Sequence, residues 1–223
     1  MRLKLMSFFC AAATIAMPLH AAPRPPLSDE PIFSAGQIAD LDPESGNELD
    51  QIVYGAAETL VEDFSVSGIV YTDNSIHKDW TITGAEAKVL LVSIFESLAM
   101  QANGAIDGLL YETPKNDAES VTATAVKSFE QATNPMPACR ILIGTKFVVS
   151  SSKVKAKPLA AGSTVTWEQA VACFPGAGVA PVAMKAYDRT AAARGKPITR
   201  GEFVHKLNEA AGRSIASFSD AIF

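Results

Sequence analysis

The stretch SGNELDQIVYGAAETLVEDF, residues 45–64, carries the clearest structural pattern in the chain. Its apolar residues recur at spacings of three and four, which gathers them on one face of a helix. They are Leu49, Ile52, Val53, Ala56, Ala57, Leu60, Val61 and Phe64. Ser45 followed by Glu48 predicts a capping box, in which each side chain satisfies a backbone N–H at the helix start. The stretch therefore predicts an amphipathic helix that buries one face.

The same opening signature recurs further along the chain. A small polar residue followed three positions later by Glu or Gln stands at Thr83–Glu86, Asn116–Glu119, Thr166–Gln169 and Thr199–Glu202. With the first stretch, these signatures predict five helices. The second helix is expected to end at Asn103-Gly104, because Asn and Gly favour helix ends.

Short apolar segments between these helices are typical of strands. The expected strands are residues 68–71 and 76–82 around a turn at 73–75, residues 140–143 and 146–149 around Gly144-Thr145, and shorter ones at 153–157 and 163–166. Turns of this composition join antiparallel strands into hairpins. Helices and hairpins without regular strand–helix alternation predict an α+β fold. It would have about five helices and two β-hairpins that form a mainly antiparallel sheet, with one disulfide.

The first 22 residues have the anatomy of a secretory signal peptide. Arg2 and Lys4 precede a short apolar run, and Ala21-Ala22 supplies small residues at its exit. Such a run is shorter than the roughly 20 apolar residues that span a bilayer. We therefore expect residues 1–22 to be cleaved and the protein to be soluble, periplasmic or secreted, with no membrane span.

The remaining chain divides by composition. Residues 23–44 are rich in proline and acidic residues without periodicity, which predicts a mobile arm. Residues 45–223 are expected to form a single α+β domain. The leader would take two of the 19 basic residues and none of the 24 acidic ones, which leaves a net charge of −7. That sign disfavours nucleic acid as a partner, since nucleic acid binding needs a positive surface.

The mature chain has two cysteines, Cys139 and Cys173. Export places them in an oxidising compartment, where disulfides persist. We therefore predict one disulfide between them, and closing a loop of this length stabilises by ~3.8 kcal/mol in the chain-entropy model. No metal or other cofactor is expected, because the mature chain has only His77 and His205 as histidines and lacks paired metal-ligand motifs.

The densest group of polar chemistry is the first predicted hairpin, where Asp73, His77, Asp79 and Trp80 are the candidate binding residues. In a strand, His77 and Asp79 would share a face because side chains alternate with period two. His77 would then be able to act as a base or a ligand beside a carboxylate. The alternative is a solvated turn with a polar outer face, which is the interpretation we favour.

Two other segments resemble known sites. Residues 40–51 alternate acids as a calcium loop does, but Ser45 and Gln51 occupy the positions that need Gly and a bidentate Glu. Residues 196–203 resemble the Thr-Arg-x-Glu helix opening of surface-layer homology modules over about a dozen residues. This opening coincides with the capping box at Thr199, and no function is assigned from it.

The sequence therefore predicts no catalytic residue, since no acid–base–nucleophile set is apparent. A non-catalytic role is expected, in which the protein binds another protein or an envelope component, with inhibitor-like or immunity-like action as a special case. Exposed aromatic residues such as Trp80 and Trp167 would then matter most. The alternative is a secreted hydrolase that uses His77 or His205 as its general base.

Overall fold

The computed structural model describes residues 23–29, 38–112, 139–143, 158–173 and 195–222. Five helices form within them: α1 Glu48–Glu62, α2 Gly84–Glu112, α3 Arg140–Ile143, α4 Trp167–Val171 and α5 Arg200–Ile222. In these ranges the remaining chain pairs only through isolated antiparallel bridges, and no β-strand or sheet forms. The predicted signal peptide, residues 1–22, lies outside the described part.

The predicted α+β fold is therefore wrong for the described part, which is helical without a sheet. Residues 140–143 form the one-turn helix α3 instead of a strand, because a short apolar run suits a buried helix as well as a strand. The turn after Tyr71 does form, since the amide of Tyr71 donates to the carbonyl of Ser75. The segments on either side of it then separate, and each pairs with a distant part of the chain.

The predicted helix starts are confirmed at three capping boxes and corrected at the first helix. At α1 the N-cap is Asn47, whose side chain accepts from the amide of Leu49, while Ser45 lies two residues earlier. Helix α2 continues past Asn103-Gly104 to Glu112, so its predicted end is wrong. The predicted helix from Asn116 and the predicted strands at 146–149 and 153–157 lie outside the described residues.

The three confirmed capping boxes are arranged around one ring of backbone hydrogen bonds. The residue before each cap is an aliphatic one, Ile82, Val165 or Ile198, and each of these side chains is fully buried. The amide of Ile82 donates to the carbonyl of Ile198 (3.1 Å), that of Ile198 to Val165 (2.9 Å), and that of Val165 to Ile82 (3.0 Å). We call these three residues the core ring; they form a closed cycle with approximate three-fold symmetry.

A second cycle of hydrogen bonds surrounds the core ring. In this cycle the donor is the amide two positions after one ring residue, and the acceptor is the carbonyl two positions before another ring residue. The bonds run from Gly84 to Ser163 at 2.8 Å, from Trp167 to Lys196 at 3.0 Å, and from Arg200 to Trp80 at 2.7 Å. The isolated bridges Thr81–Thr199, Thr83–Thr164 and Thr166–Pro197 complete the pattern. Equivalent main-chain contacts thus hold the first turns of α2, α4 and α5 in related orientations.

The hydrophobic core lies beneath this ring. Helix α5 packs against α1 and α2, with Phe203, Val204, Leu207, Ala210 and Ala211 buried. The α1 face is also buried at Val53, Ala57 and Leu60, whereas Leu49 and Ile52 are partly buried. These helices therefore form the body against which the loops and the first described residues lie.

A disulfide joins Cys139 and Cys173, as the cysteine count predicts. Both residues are fully buried, and the bond connects the residue before α3 to the chain just after α4. It therefore attaches the short helix α3 to the part of the molecule that the core ring organises.

Helix α2 also contains the most apolar long segment of the described chain. By length and composition alone, residues Gly84–Gly108 are long and apolar enough to cross a membrane, and 44% of their most apolar part is buried inside the protein. Its inward residues, including Leu90, Leu91, Ile94 and Leu98, belong to the hydrophobic core.

The capping boxes around the core ring yield a stability prediction. In each of α4 and α5 the cap threonine exchanges two hydrogen bonds with the residue three positions on. Thr166→Ala and Thr199→Ala are each expected to lower the free energy of unfolding by about 1 kcal/mol, the usual value of a lost N-cap. Urea unfolding would measure it. Thr72→Ala, at an exposed turn, is the control, and equal losses in all three variants would contradict the assignment.

Candidate functional site

The candidate site lies where the first described segment crosses the loop between α1 and α2. Residues 23–29 run beside residues 68–72, with the amide of Ser28 donating to Val70, that of Gly68 to Ser28, and that of Thr72 to Pro26. Leu27 and Tyr71 form an antiparallel bridge. Prolines suit this arrangement because Pro26 contributes only its carbonyl oxygen. We call residues 23–29 the arm segment.

Arg24 of the arm segment is held by groups from the body of the protein. Its Nη1 donates to both carboxylate oxygens of Glu86, at 2.9 and 3.0 Å, and its Nη2 donates to the carbonyl of Thr81 at 2.9 Å. The guanidinium carbon also lies 5.1 Å from the centre of the Trp80 ring. One guanidinium nitrogen thus spans the carboxylate and another reaches a backbone carbonyl, beside an aromatic face that attracts the cation.

Glu86 is the polar centre of the site. It closes the capping box of α2 by accepting from the Thr83 amide at 2.8 Å, and its Oε1 accepts from the Tyr71 hydroxyl at 2.6 Å. Burial alone would raise the pKa of Glu86, but these hydrogen bonds and that from Arg24 outweigh it and lower the pKa. Glu86 therefore stays ionised and able to hold a cation.

Three aromatic rings frame the same region. The rings of His77 and Trp80 are stacked, with centres 3.7 Å apart and planes 3° from parallel. Tyr71 meets each of them edge-on, at 5.3 and 5.7 Å. We call Arg24, Tyr71, His77, Trp80 and Glu86 the Trp80 cluster.

An unusual backbone conformation places His77 against Trp80. His77 has a φ of 52°, in the left-handed region that costs energy for a residue with a side chain. The carboxylate of Asp40 accepts from the amides of Ile76 at 2.8 Å and His77 at 2.6 Å. The carbonyl of His77 accepts from the amide of Trp80, which closes a short turn. Asp40 therefore holds the loop in the shape that stacks the two rings.

Arg200 supports the cluster from below. Its side chain is fully buried. Nε donates to the backbone carbonyl of Ile76, and Nη2 donates to those of Gly68 and Ile69. The guanidinium carbon lies 4.4 Å from the centre of the Tyr71 ring. Burial lowers the pKa of Arg200. Burial also raises the pKa of Tyr71 to about 12, against the opposing charge of Arg200. Tyr71 is thus a neutral donor to Glu86 at any physiological pH.

The structure brings some of the sequence-predicted candidates together and separates others. His77 and Trp80 are in the cluster, and Asp73 is joined to it through His77, whose Nε2 lies 2.9 Å from the Asp73 carboxylate. Burial would raise the pKa of Asp73, but the hydrogen bond with His77 lowers it. Asp79 pairs with Lys78 at 3.3 Å instead. No strand places His77 and Asp79 on a shared face.

His205 and Trp167 lie elsewhere. His205 is on α5 beside Glu209, with which it forms a 3.5 Å pair, and burial lowers the pKa of His205. The contacts of His77 involve Asp73, Tyr71 and Trp80 instead. Trp167, which we expected to be exposed, is only 4% exposed, so its ring is a core element.

In the segment that resembles a calcium loop, two carboxylates accept hydrogen bonds from backbone amides. Asp40 accepts the two amides described above, and Asp42 accepts from the Glu44 amide at the turn before α1. Within the described residues, no three His, Cys, Asp or Glu side chains gather in a metal-binding arrangement.

A separate concavity of about 730 Å³ lies along the outer face of α2. Its apolar lining includes Val89, Val92, Leu142 and Leu159, and residues of the Trp80 cluster do not contribute to it. The two surfaces are therefore distinct.

Sequence reasoning missed Arg24, Tyr71, Glu86 and Arg200 as members of one site. Local patterns placed Glu86 and Arg200 at helix openings, without indicating what else these side chains bind. The contacts that bring Arg24 to Glu86 and Arg200 to Gly68 join residues 62 and 132 positions apart, so no short motif contains them.

Comparisons with known proteins place the chain in no group. No family model, curated protein or solved structure matches it.

The ionised state of Glu86 leads to a pH prediction. Because its folded pKa is lowered, its contribution to stability is complete above the ordinary carboxyl range and is lost as the pH falls through the folded pKa. The difference in unfolding free energy between wild type and Glu86→Gln should therefore be largest at neutral pH and shrink in acid. Denaturant unfolding across pH measures this. Asp79→Asn, at a side chain 78% exposed, is the control, and a difference that does not change with pH would refute the prediction.

Proposed function

We propose that this is an exported, soluble protein with a non-catalytic role, which binds another protein or an envelope component through the Trp80 cluster. Its setting is periplasmic or secreted. The observation that carries the proposal is the cluster itself, in which the partly exposed Trp80 and Arg24 side chains meet above the buried Tyr71 ring. Trp and Arg are among the residue types that concentrate binding energy in protein interfaces.

The exposure of the cluster supports a contact surface. The side chains of Arg24 and His77 are 33% and 22% exposed, and Asp73 beside them is 43% exposed. Below them Tyr71 and Arg200 are buried. A surface with rigid aromatic rings on a fixed polar base loses little conformational freedom when a partner covers it.

The charge states of the cluster also favour recognition. The pKa of Glu86 is lowered, that of Tyr71 is raised to about 12, and that of Arg24 is raised because its contacts with Glu86 outweigh the effect of burial. None of these shifts moves a pKa toward neutral pH. General acid–base catalysis is most efficient with a group whose pKa lies near the working pH.

The proposal predicts a Trp80-dependent interaction. Purified protein immobilised on a resin should retain a component of an envelope extract at stoichiometric yield, and Trp80→Ala should reduce the retained amount at least tenfold. Met100→Ala is the matched control, because Met100 is 68% exposed on α2 and belongs neither to the Trp80 cluster nor to the concavity along α2. Retention that is absent in the wild type, or equal in all three proteins, would refute the proposal.

A secreted hydrolase is the second candidate, and the Asp73–His77 contact favours it. A carboxylate 2.9 Å from an imidazole nitrogen can orient that ring as a general base. His205 with Glu209 is a related pair, on α5.

The histidines distinguish the two candidates. If the protein is a binding protein, His205→Gln leaves envelope retention unchanged, and the double variant His77→Gln/His205→Gln shows no loss of turnover on ester, peptide and glycoside substrates relative to wild type. A hydrolase would show wild-type turnover that at least one of these substitutions removes. Thermal unfolding of each variant confirms that it is folded.

A further inference from the structure

We infer that Tyr71, His77, Trp80 and Glu86 of the Trp80 cluster, with the Thr81 carbonyl, form a site for an extended, arginine-bearing peptide segment of a partner protein, and that the arm segment occupies this site within its own chain through Arg24. The inference rests on the proposed binding function and names the ligand class. Its basis is that the arm segment contacts the body as a bound peptide would.

The receptor half of the site is built without the arm. Glu86 is positioned by the Tyr71 hydroxyl and the Thr83 amide, and the Trp80 ring by its stack on His77. The Thr81 carbonyl lies beside them, where it accepts from Arg24. A carboxylate, a carbonyl and an aromatic face thus converge on one point. Arg24 reaches the carboxylate and the carbonyl with two different nitrogens, whereas a lysine has only one nitrogen to offer both.

The backbone half of the site accepts an extended chain. Residues 68–72 offer the Gly68 and Thr72 amides as donors and the Val70 carbonyl as an acceptor to the arm segment. Addition of an extended segment to exposed backbone groups is a recurrent mode of peptide recognition, in which side-chain anchors supply specificity. The anchors here are Arg24 and, three residues later, the half-buried Leu27.

The chemistry of the ligand follows from these contacts. It is a segment with arginine three residues before an aliphatic residue, and proline is accepted between them because the Pro26 position uses only its carbonyl. The residue after the aliphatic one must keep its N–H, since the Ser28 amide donates to Val70.

The position of the arm segment makes it replaceable. Pro23, Arg24, Pro26 and Asp29 are exposed, and no residue of the arm belongs to the hydrophobic core. Withdrawal of the arm therefore uncovers the cluster without opening the fold. A tethered arm competes at an effective concentration of order millimolar, so a partner segment binds by displacing the arm, and it binds more tightly when the arm anchors are weakened.

The test uses the whole exported chain with both arm anchors removed, Arg24→Ala/Leu27→Asp, and a synthetic acetylated peptide of residues 23–29, PRPPLSD. Calorimetric titration should show that the variant binds the peptide at least tenfold more tightly than wild type does. A peptide with Lys in place of Arg should bind at least tenfold more weakly, because it lacks the planar fork. Adding Trp80→Ala to the variant should abolish binding.

The outcomes separate this inference from the proposed function. A folded variant that binds the peptide no more tightly than wild type, or that binds the Lys peptide equally well, overturns the inference. If Trp80-dependent envelope retention persists in that case, the proposed function stands. If the double variant does not unfold cooperatively, Arg24→Lys replaces it, because this substitution keeps the charge and the arm but weakens the anchor. A peptide affinity of Arg24→Lys equal to that of the wild type would then also overturn the inference.

Discussion

The cycle of three backbone hydrogen bonds among Ile82, Val165 and Ile198 is the constraint on which the described structure depends. These residues come from parts of the chain up to 116 positions apart, and each immediately precedes the cap of a helix. Each of the three residues donates its amide and accepts at its carbonyl within the cycle, so the buried backbone polar groups of all three are paired. The first turns of α2, α4 and α5 inherit their directions from it.

This constraint explains which parts of the fold the sequence predicted. The caps at Thr83, Thr166 and Thr199 are local, since their hydrogen bonds join residues three apart, and the sequence pattern identified all three. Strand predictions failed because residues 76–82 satisfy their backbone groups singly with distant partners, as Ile82 does with Ile198. A short apolar segment carries no local sign of whether a ladder or a single bridge will receive it.

The candidate site also combines residues that local sequence patterns identify with partners that are distant in the sequence. His77 and Trp80 are close in sequence, so a local reading found them, whereas the partner that sets the shape of their loop is Asp40, 37 positions away. Arg24 belongs to a proline-rich segment without periodicity, and nothing near it in the sequence indicates a carboxylate in α2. The described contacts bring five segments together at the Trp80 cluster, namely the arm segment, the chain at Asp40, residues 68–80, α2 and α5, which lie far apart in the sequence.

Gly84, Trp167 and Arg200 stand at the same place in the three related segments, two residues after the core ring, and their side chains have nothing in common. Their shared contribution is an amide, which any residue but proline provides. Each side chain is instead fitted to its own surroundings, since a Cβ at Gly84 would lie 3.0 Å from the Ala160 carbonyl oxygen, Trp167 is 4% exposed in the core, and Arg200 is a buried cation. One backbone position thus permits a close approach of two chain segments, a core contact and the support of the Trp80 cluster, and its main-chain hydrogen bond is common to all three.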